Sequence, residues 1–199
     1  FTSFLDDFPV TNQTTHANSF AFNVGGKGLN QAVAAARFGA QVSFVGCIGG
    51  DSFGNDALKY LNKHSVDTTH VYTLDEETTG TAGIYVSSKG DNMIAVTPGA
   101  NACLTENHVQ QAKELIASSD VILVQLEIPY DTVKAALSLA RLSSTRTILN
   151  PAPMTACASD LIALTDIVTP NETEMATLCG LDLNQSRAEG EFEHFSIKE

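Results

Sequence analysis

A doubly wound, mostly parallel α/β sheet is the fold this sequence predicts, and three observations predict it. Short apolar runs bounded by turn residues alternate with segments of helical period along most of the chain. That alternation calls for parallel strands joined by right-handed helical crossovers. One run, Val121 to Leu126, is apolar without a break, as strands buried inside parallel sheets are. A chain of 199 residues with 43% hydrophobic residues can bury one core, with a small appendage beside it. No internal repeat or low-complexity tract interrupts the pattern.

In chain order, Phe1 to Phe20 shows no helical period and reads as loop and short strand leading to Ala21 and Phe22. The stretch Asn23 to Gly39, NVGGKGLNQAVAAARFG, reads as a tight loop delivering the chain into a helix, with Gly39 as the stop after its C-cap. Glycines at 25, 26 and 28 remove the Cβ atoms that would keep a ligand from the backbone, and the helix start offers N–H groups to ligand oxygens. Lys27 and Asn30 supply further donors within one turn, and Ala32, Ala34, Ala35 and Ala36 let the helix lie close to a sheet. Gln41 to Ile48 follows as a strand. After Gly49, Gly50 and Asp51 comes a helix from about Gly54, with Ala57, Leu58 and Leu61 on one face. Val71 to Leu74 is a strand. Thr81 to Ser87 and Met93 to Thr97 pair across Lys89, Gly90, Asp91 and Asn92; polar and apolar residues alternate there, so one face is wet or covered by something that moves.

Thr105 caps the next helix, whose Val109, Ala112, Leu115 and Ile116 share a face. Beyond the strand Val121 to Leu126, Asp131 caps a helix with Val133, Ala136, Leu137 and Ala140 inward. Thr147 to Leu149 is a strand, Asp160 to Leu164 a short helix, Asp166 to Thr169 a strand, and Glu172 to Cys179 a helix stopped by Gly180. The segment Asn184 to Glu199 is charged and aperiodic, and is expected to be unpacked.

Several functions are excluded early. A net charge of −12 and a pI near 4.6 argue against nucleic acid or an anionic membrane as partner. No apolar run is long enough to span a membrane, and Phe1 to Val10 has no signal-peptide pattern. Cys47, Cys103, Cys157 and Cys179 lack metal-ligand spacing and read as small buried or half-buried residues of a protein in a reducing cytoplasm. The histidines, His64, His70 and His108 among them, are expected at the surface. GGKG by itself is neither a P-loop nor a dinucleotide fingerprint, since the lysine is followed by glycine and the GxGxxG spacing is missing.

Three predicted strands end on polar residues: Glu127, Asn150 and Asn171. In open α/β sheets ligands bind beyond the carboxyl ends of the strands, so these three converge on one edge. Pro151, Pro153 and Pro170 stiffen the loops beside two of them.

GGKGLNQAVAAARFGA, GGD at Gly49 to Asp51, PGAN at Pro98 to Asn101, QLEIP around Glu127, NPAP from Asn150 and TPNETE from Thr169 together resemble, in order and spacing, the ribokinase group of the PfkB family of sugar kinases. The resemblance covers residues 1–183 and implies a ribokinase-like sheet with a small β lid, its segments at about 10–23 and 81–97. It implies ATP-dependent phosphorylation of D-ribose to D-ribose 5-phosphate. Another sugar or a nucleoside is the alternative substrate, and a remnant that binds a sugar or a partner without catalysis is the alternative function. By the same likeness Gly26, Lys27, Asn30 and Glu127 hold sugar hydroxyls, Asn171 donates to ATP phosphate, and Glu174 holds Mg²⁺ through water. The family also implies a monovalent cation, K⁺, and a homodimer through the lid. Plainer roles compete: Lys27 as a solvated loop lysine, Glu174 as a first-turn glutamate complementing the helix dipole, Asp51 as an N-cap.

The pattern of the family is not met everywhere. Its Gly-Ala-Gly-Asp loop, which supplies the anion hole and the aspartate base, occurs nowhere in this sequence, so no catalytic residue is assigned. The likeness stops near Leu183, residues 184–199 are divergent, and the family's first strand has no counterpart. The expectation is a fold incomplete at both ends, a fragment lacking the catalytic C-terminal part and the cation site.

Overall fold

In the computed structural model, which describes residues 1–154 and 159–180, the chain divides into two compact units, Phe1–His108 and Val109–Glu199. The first opens with β1 (Thr2–Leu5) and β2 (Ser19–Ala21), followed by α1 (Lys27–Arg37), β3 (Ser43–Gly49), α2 (Ser52–Lys63) and β4 (Asp67–Leu74). A hairpin, β5 (Thr81–Ser87) and β6 (Asn92–Thr97), and a 3₁₀ turn, Gly99–Cys103, complete it. Strands β3 and β4 are parallel, and α1 and α2 close over a core of Leu29, Ala32, Val33, Leu61 and Val66. Each large apolar side chain so buried contributes about 1.5–3 kcal/mol relative to exposure. Beside this layer runs a four-stranded sheet in the order β2-β1-β5-β6, in which β1 is parallel to β5 and the other pairs are antiparallel.

Local chemistry sets the helix ends. Helix α1 closes with Gly39 at φ +91°, the Gly39 N–H bonding the Ala36 carbonyl at 3.0 Å and the Ala40 N–H reaching back to Ala35 at 3.1 Å. That paired reversal engages the last carbonyls of the helix, and glycine adopts the required turn without strain. Helix α2 starts at Ser52, two residues before the expected Gly54, because Asp51 accepts the Gly54 N–H at 2.8 Å and so caps the helix there.

The second unit is a three-stranded parallel sheet, β7 (Val121–Val124), β8 (Arg146–Leu149) and β9 (Ile167–Val168), in that order. The chain enters it from α3 (Glu106–Gln111) through α4 (Lys113–Ser118), and α5 (Tyr130–Leu142), α6 (Ser159–Ile162) and α7 (Glu172–Cys179) follow successive strands. Val133, Ala136, Leu137 and Ala140 are buried on α5, as their spacing predicts, and Thr132 and Leu139 widen that face. Its core joins Val133 and Leu137 to Val124, Leu149 and Leu161. Parallel pairing therefore dominates, and the expected hairpin forms with Thr81 opposite Thr97, Asn92 joining β6 opposite Val86 where the sequence places it in the turn.

Several expectations are corrected. The opening segment holds two strands, β1 and β2, where one short strand is expected, because β1 is held by β5 from far along the chain. Strand β4 begins at Asp67, where the Asp67 carboxylate accepts the Thr69 N–H at 3.0 Å and the Ser43 hydroxyl at 3.2 Å, tying a polar segment to β3. The helix after Thr105 is two pieces, broken at the buried Ala112, whose N–H takes the nearer Val109 carbonyl. Strand β7 ends at Val124 and buries one face only: Val121 and Leu123 are 45% and 39% exposed. Asp131 is not a cap; Pro129 holds that position, and Asp131 lies in the first turn, where its charge complements the helix dipole. Ala34 faces outward and Cys179 is exposed. His64, His70 and His108 are half-buried, while His16 is exposed: His64 meets the Tyr60 ring edge-on at 4.8 Å, and His108 packs on Tyr72 at 4.3 Å. Cys157 and residues 184–199 lie outside the described residues.

Candidate functional site

Within the first unit the loop before α1 is built to leave its backbone open. Gly26 is the N-cap residue with φ +102° and ψ 146°, a conformation that side-chain-bearing residues avoid. A Cβ at Gly25 or Gly26 would meet nothing within 4 Å, so the space beside this backbone is free for a ligand. No side chain caps α1 and no acidic residue occupies its first turn, which leaves the N-terminal amides and their partial positive charge directed at that space. Lys27 opens the helix and is half-buried, while the Asn30 N–H makes the first helical bond, to Gly26 at 2.9 Å. The Asn30 side chain lines an open groove of about 300 Å³ with Val33, Arg37 and Tyr60, so the structure places it on the α1–α2 side of its helix.

The corner that follows β3 is the part sequence reasoning undervalued. Asp51 caps α2 and also receives both the N–H and the hydroxyl of Thr79, at 2.8 and 2.7 Å. Those donors, the Thr79 amide foremost and then the Gly54 amide, hold the Asp51 carboxyl below the usual carboxylate range. Thr79, in a TTG string before a strand, carried no signal that it would be the partner.

In the second unit the register places the three strand-end residues at one edge. Val124 lies opposite Leu149, and Leu149 opposite Val168. Just beyond, the Asn150 N–H reaches the Val124 carbonyl and the Thr169 N–H the Leu149 carbonyl, both at 2.9 Å, while the Leu126 N–H bonds Ala152 at 3.0 Å. Glu127, Asn150 and Asn171 therefore share the carboxyl edge of this sheet, as their strand-end positions predict. The Asn150 amide donates to the Thr169 carbonyl at 2.9 Å, fixing the NPAP loop to the TPNETE segment. The other edge is closed by structural bonds: Asp166 takes the Thr147 N–H at 2.8 Å and the Thr147 hydroxyl at 3.0 Å, and the Thr147 amide first, then the hydroxyl, lowers the Asp166 pKa.

Asn171 and Glu174 form a capping box at the start of α7. Glu174 is buried, 8% exposed, and each of its carboxylate oxygens takes an Asn171 N–H, the backbone at 2.8 Å and the side chain at 3.1 Å. A cation could be reached from this carboxylate through water, since direct ligation would compete with both bonds. Among the described residues, no group of three or more His, Cys, Asp or Glu side chains is arranged to hold a metal ion, and no helix is long and apolar enough to cross a membrane.

The model of the pfkB family of carbohydrate kinases matches residues 2–191. Ribokinase of Haemophilus influenzae is 42% identical over 176 residues, 88% of this chain and 58% of that protein; ribokinase of Mus musculus is 37% identical over 179 residues, 89% and 55% of the two. Among solved structures, ribokinase from Giardia lamblia superposes with a TM-score of 0.83 at 31% identity, covering 92% of this chain and 58% of that one. Arabidopsis thaliana ribokinase, solved with ribose and ATP, superposes at 0.82 with 28% identity, covering 96% and 64%. The chain thus spans a little over half the length of the curated relatives it matches. The parallel sheets agree with that match, which runs over nearly the whole chain: it belongs to the pfkB family of carbohydrate kinases.

Proposed function

We propose that this chain carries the sugar-binding part of an ATP-dependent D-ribose kinase, whose reaction moves the γ-phosphoryl group of ATP to the primary hydroxyl and yields D-ribose 5-phosphate. The observation that carries the reading is the open Gly25–Gly26 backbone at the uncapped start of α1, in a chain 42% identical to a ribokinase. Amides, Lys27 and Asn30 supply donors to sugar hydroxyls, and Glu127 supplies an acceptor. Such groups discriminate, because a sugar lacking one hydroxyl would leave its partner buried and unpaired. Asn171 serves the ATP phosphates, and Glu174 a Mg²⁺ ion through water, consistent with a carboxylate whose oxygens are already engaged. K⁺ is the monovalent cation the family reading adds.

Phosphoryl transfer also needs a base for the attacking hydroxyl, and the string that supplies it in the family is missing from this sequence. That favours a second reading for the chain on its own, sugar binding without turnover. The exposed strand β6, with Met93, Ile94 and Val96 each more than half exposed, is the surface for a homodimer through the lid. The acidic charge argues against nucleic acid or an anionic membrane as partner, and the free thiols of Cys47, Cys103 and Cys179 fit a reducing cytoplasm.

ADP release from ATP and Mg²⁺ with D-ribose, run beside titration calorimetry with D-ribose alone, tests both readings. Ribose-dependent turnover supports the kinase and ribose binding without turnover supports the second reading. Neither turnover nor binding would overturn both.

A further inference from the structure

The four-stranded sheet joins the rest of its unit at three crossings, and one corner of the fold reaches two of them directly and the third through Thr78. The chain leaves β2 through Phe22, approaches β5 through Thr78 to Gly80, and leaves β6 through Pro98 and Gly99. The corner is Gly49 to Phe53, where β3 passes into α2. Phe53 packs on Phe22, ring centroids 5.5 Å apart. Asp51 Oδ2 accepts the Thr79 N–H at 2.8 Å, and Asp51 Oδ1 accepts the Thr79 hydroxyl at 2.7 Å. Thr79 Oγ1 in turn accepts the Gly49 N–H at 2.9 Å, and the neighbouring Thr78 carbonyl accepts the Ala100 N–H at 2.8 Å. The backbones here touch without room for side chains: a Cβ on Gly49 would collide with Glu77 and Thr79, and one on Gly99 with Thr78 and Gly80.

Capping α2 needs one oxygen of Asp51, the one facing Gly54. The other oxygen is turned to a loop 28 residues away, which capping does not account for. We infer that Asp51, acting through Thr79, is a positioning residue: it latches the root of the β5–β6 hairpin to the β3–α2 corner, beside the segment that leads into the Gly25–Gly26 loop. An ionised carboxylate suits this place because it only accepts, and three donors face it. The consequence for the sugar rests on the kinase reading; the latch itself does not.

The two are separated by one experiment on the chain Phe1 to Glu199 and its variants Asp51→Asn, Thr79→Val and Thr79→Ser. Asparagine still accepts from Gly54 but turns an NH₂ group toward the Thr79 N–H. Residue-resolved amide exchange should accelerate about tenfold at Ala100 and Ile84, which bond neither residue 51 nor 79, in Asp51→Asn and in Thr79→Val. Tyr60 and Leu61 in α2 should keep their rates, and Thr79→Ser should match the unmodified chain throughout. Unchanged exchange at Ala100 and Ile84, or an equal rise in α2, would overturn the latch. In parallel calorimetry, D-ribose affinity should fall in Asp51→Asn. If the unmodified chain does not bind D-ribose, the kinase reading falls while exchange decides the latch on its own.

Discussion

Asn171 and Glu174 cap one helix from both directions, the Asn171 Oδ1 taking the Glu174 N–H and the Glu174 Oε2 the Asn171 N–H, each at 2.8 Å. A glutamate so engaged is a structural cap and, on the kinase reading proposed above, also the group that would hold Mg²⁺ through water. Glu174→Gln separates the roles, because its amide oxygen can keep the backbone bond while its charge is gone. The expected outcome is α7 retained by circular dichroism with weaker Mg²⁺-dependent ATP binding. Asn171→Ala, which removes the cap, should cost about 1 kcal/mol of stability and act on ATP rather than ribose. An effect confined to ribose affinity would contradict its assignment.

Lys27→Ala and Glu127→Ala should each weaken D-ribose binding by roughly tenfold to a hundredfold, the scale of losing a hydrogen bond to a charged group. Both lie outside the core clusters, so the thermal midpoint should move little. Calorimetry and thermal unfolding on the same preparations check this, and unchanged affinity in both variants would remove them from the site.

Gly26→Ala should destabilise the chain by about 1–3 kcal/mol although nothing stands near the new methyl group. The cost comes from φ +102°, so a change at Gly25, with ordinary φ, should be milder. Denaturant unfolding of the two variants measures the difference.

Leu137→Ala, at a wholly buried position in the second unit, should cost about 2–5 kcal/mol through lost contacts and a residual cavity. Urea unfolding with probes in each unit tests whether the loss is confined to that unit.

Acid should weaken the fold in a defined direction. Asp51, Asp67 and Asp166 all have carboxyls lowered in the folded state by hydrogen-bond donors, chiefly Thr79, Thr69 and Thr147. A lowered folded pKa means stabilisation that is complete above the unfolded value, near 4, and lost as pH falls through the folded value. Thermal midpoints should therefore drop below about pH 4, and Asp166→Asn should flatten that drop. A midpoint that rises on acidification would contradict it.

Much of this architecture was legible from local chemistry. The α1 and α7 boundaries follow from Gly39 and Gly180, and the α5 face from the spacing of Val133, Ala136, Leu137 and Ala140, because each is decided within one or two turns of chain. What escaped depends on distant partners. Thr2–Leu5 is a strand because β2 and β5 flank it, Val121 and Leu123 are exposed because β7 is covered on one face, and Thr79 matters because Asp51 lies beside it. Of the site, the glycine loop and the strand-end residues were legible; the mutual engagement of Asn171 and Glu174 was legible only as a helix start.

Strand β1 has a consequence for how the chain is made. The Phe1 nitrogen donates to the Ala82 carbonyl at 2.8 Å across 81 residues of sequence, and β1 continues parallel to β5 from there. At a synthesis rate of roughly 5–20 residues per second, the first strand waits several seconds for the strand that completes its pairing. During that interval the edge of β1 that β5 later covers has no strand beside it, so this sheet closes only after β5 has emerged from the ribosome.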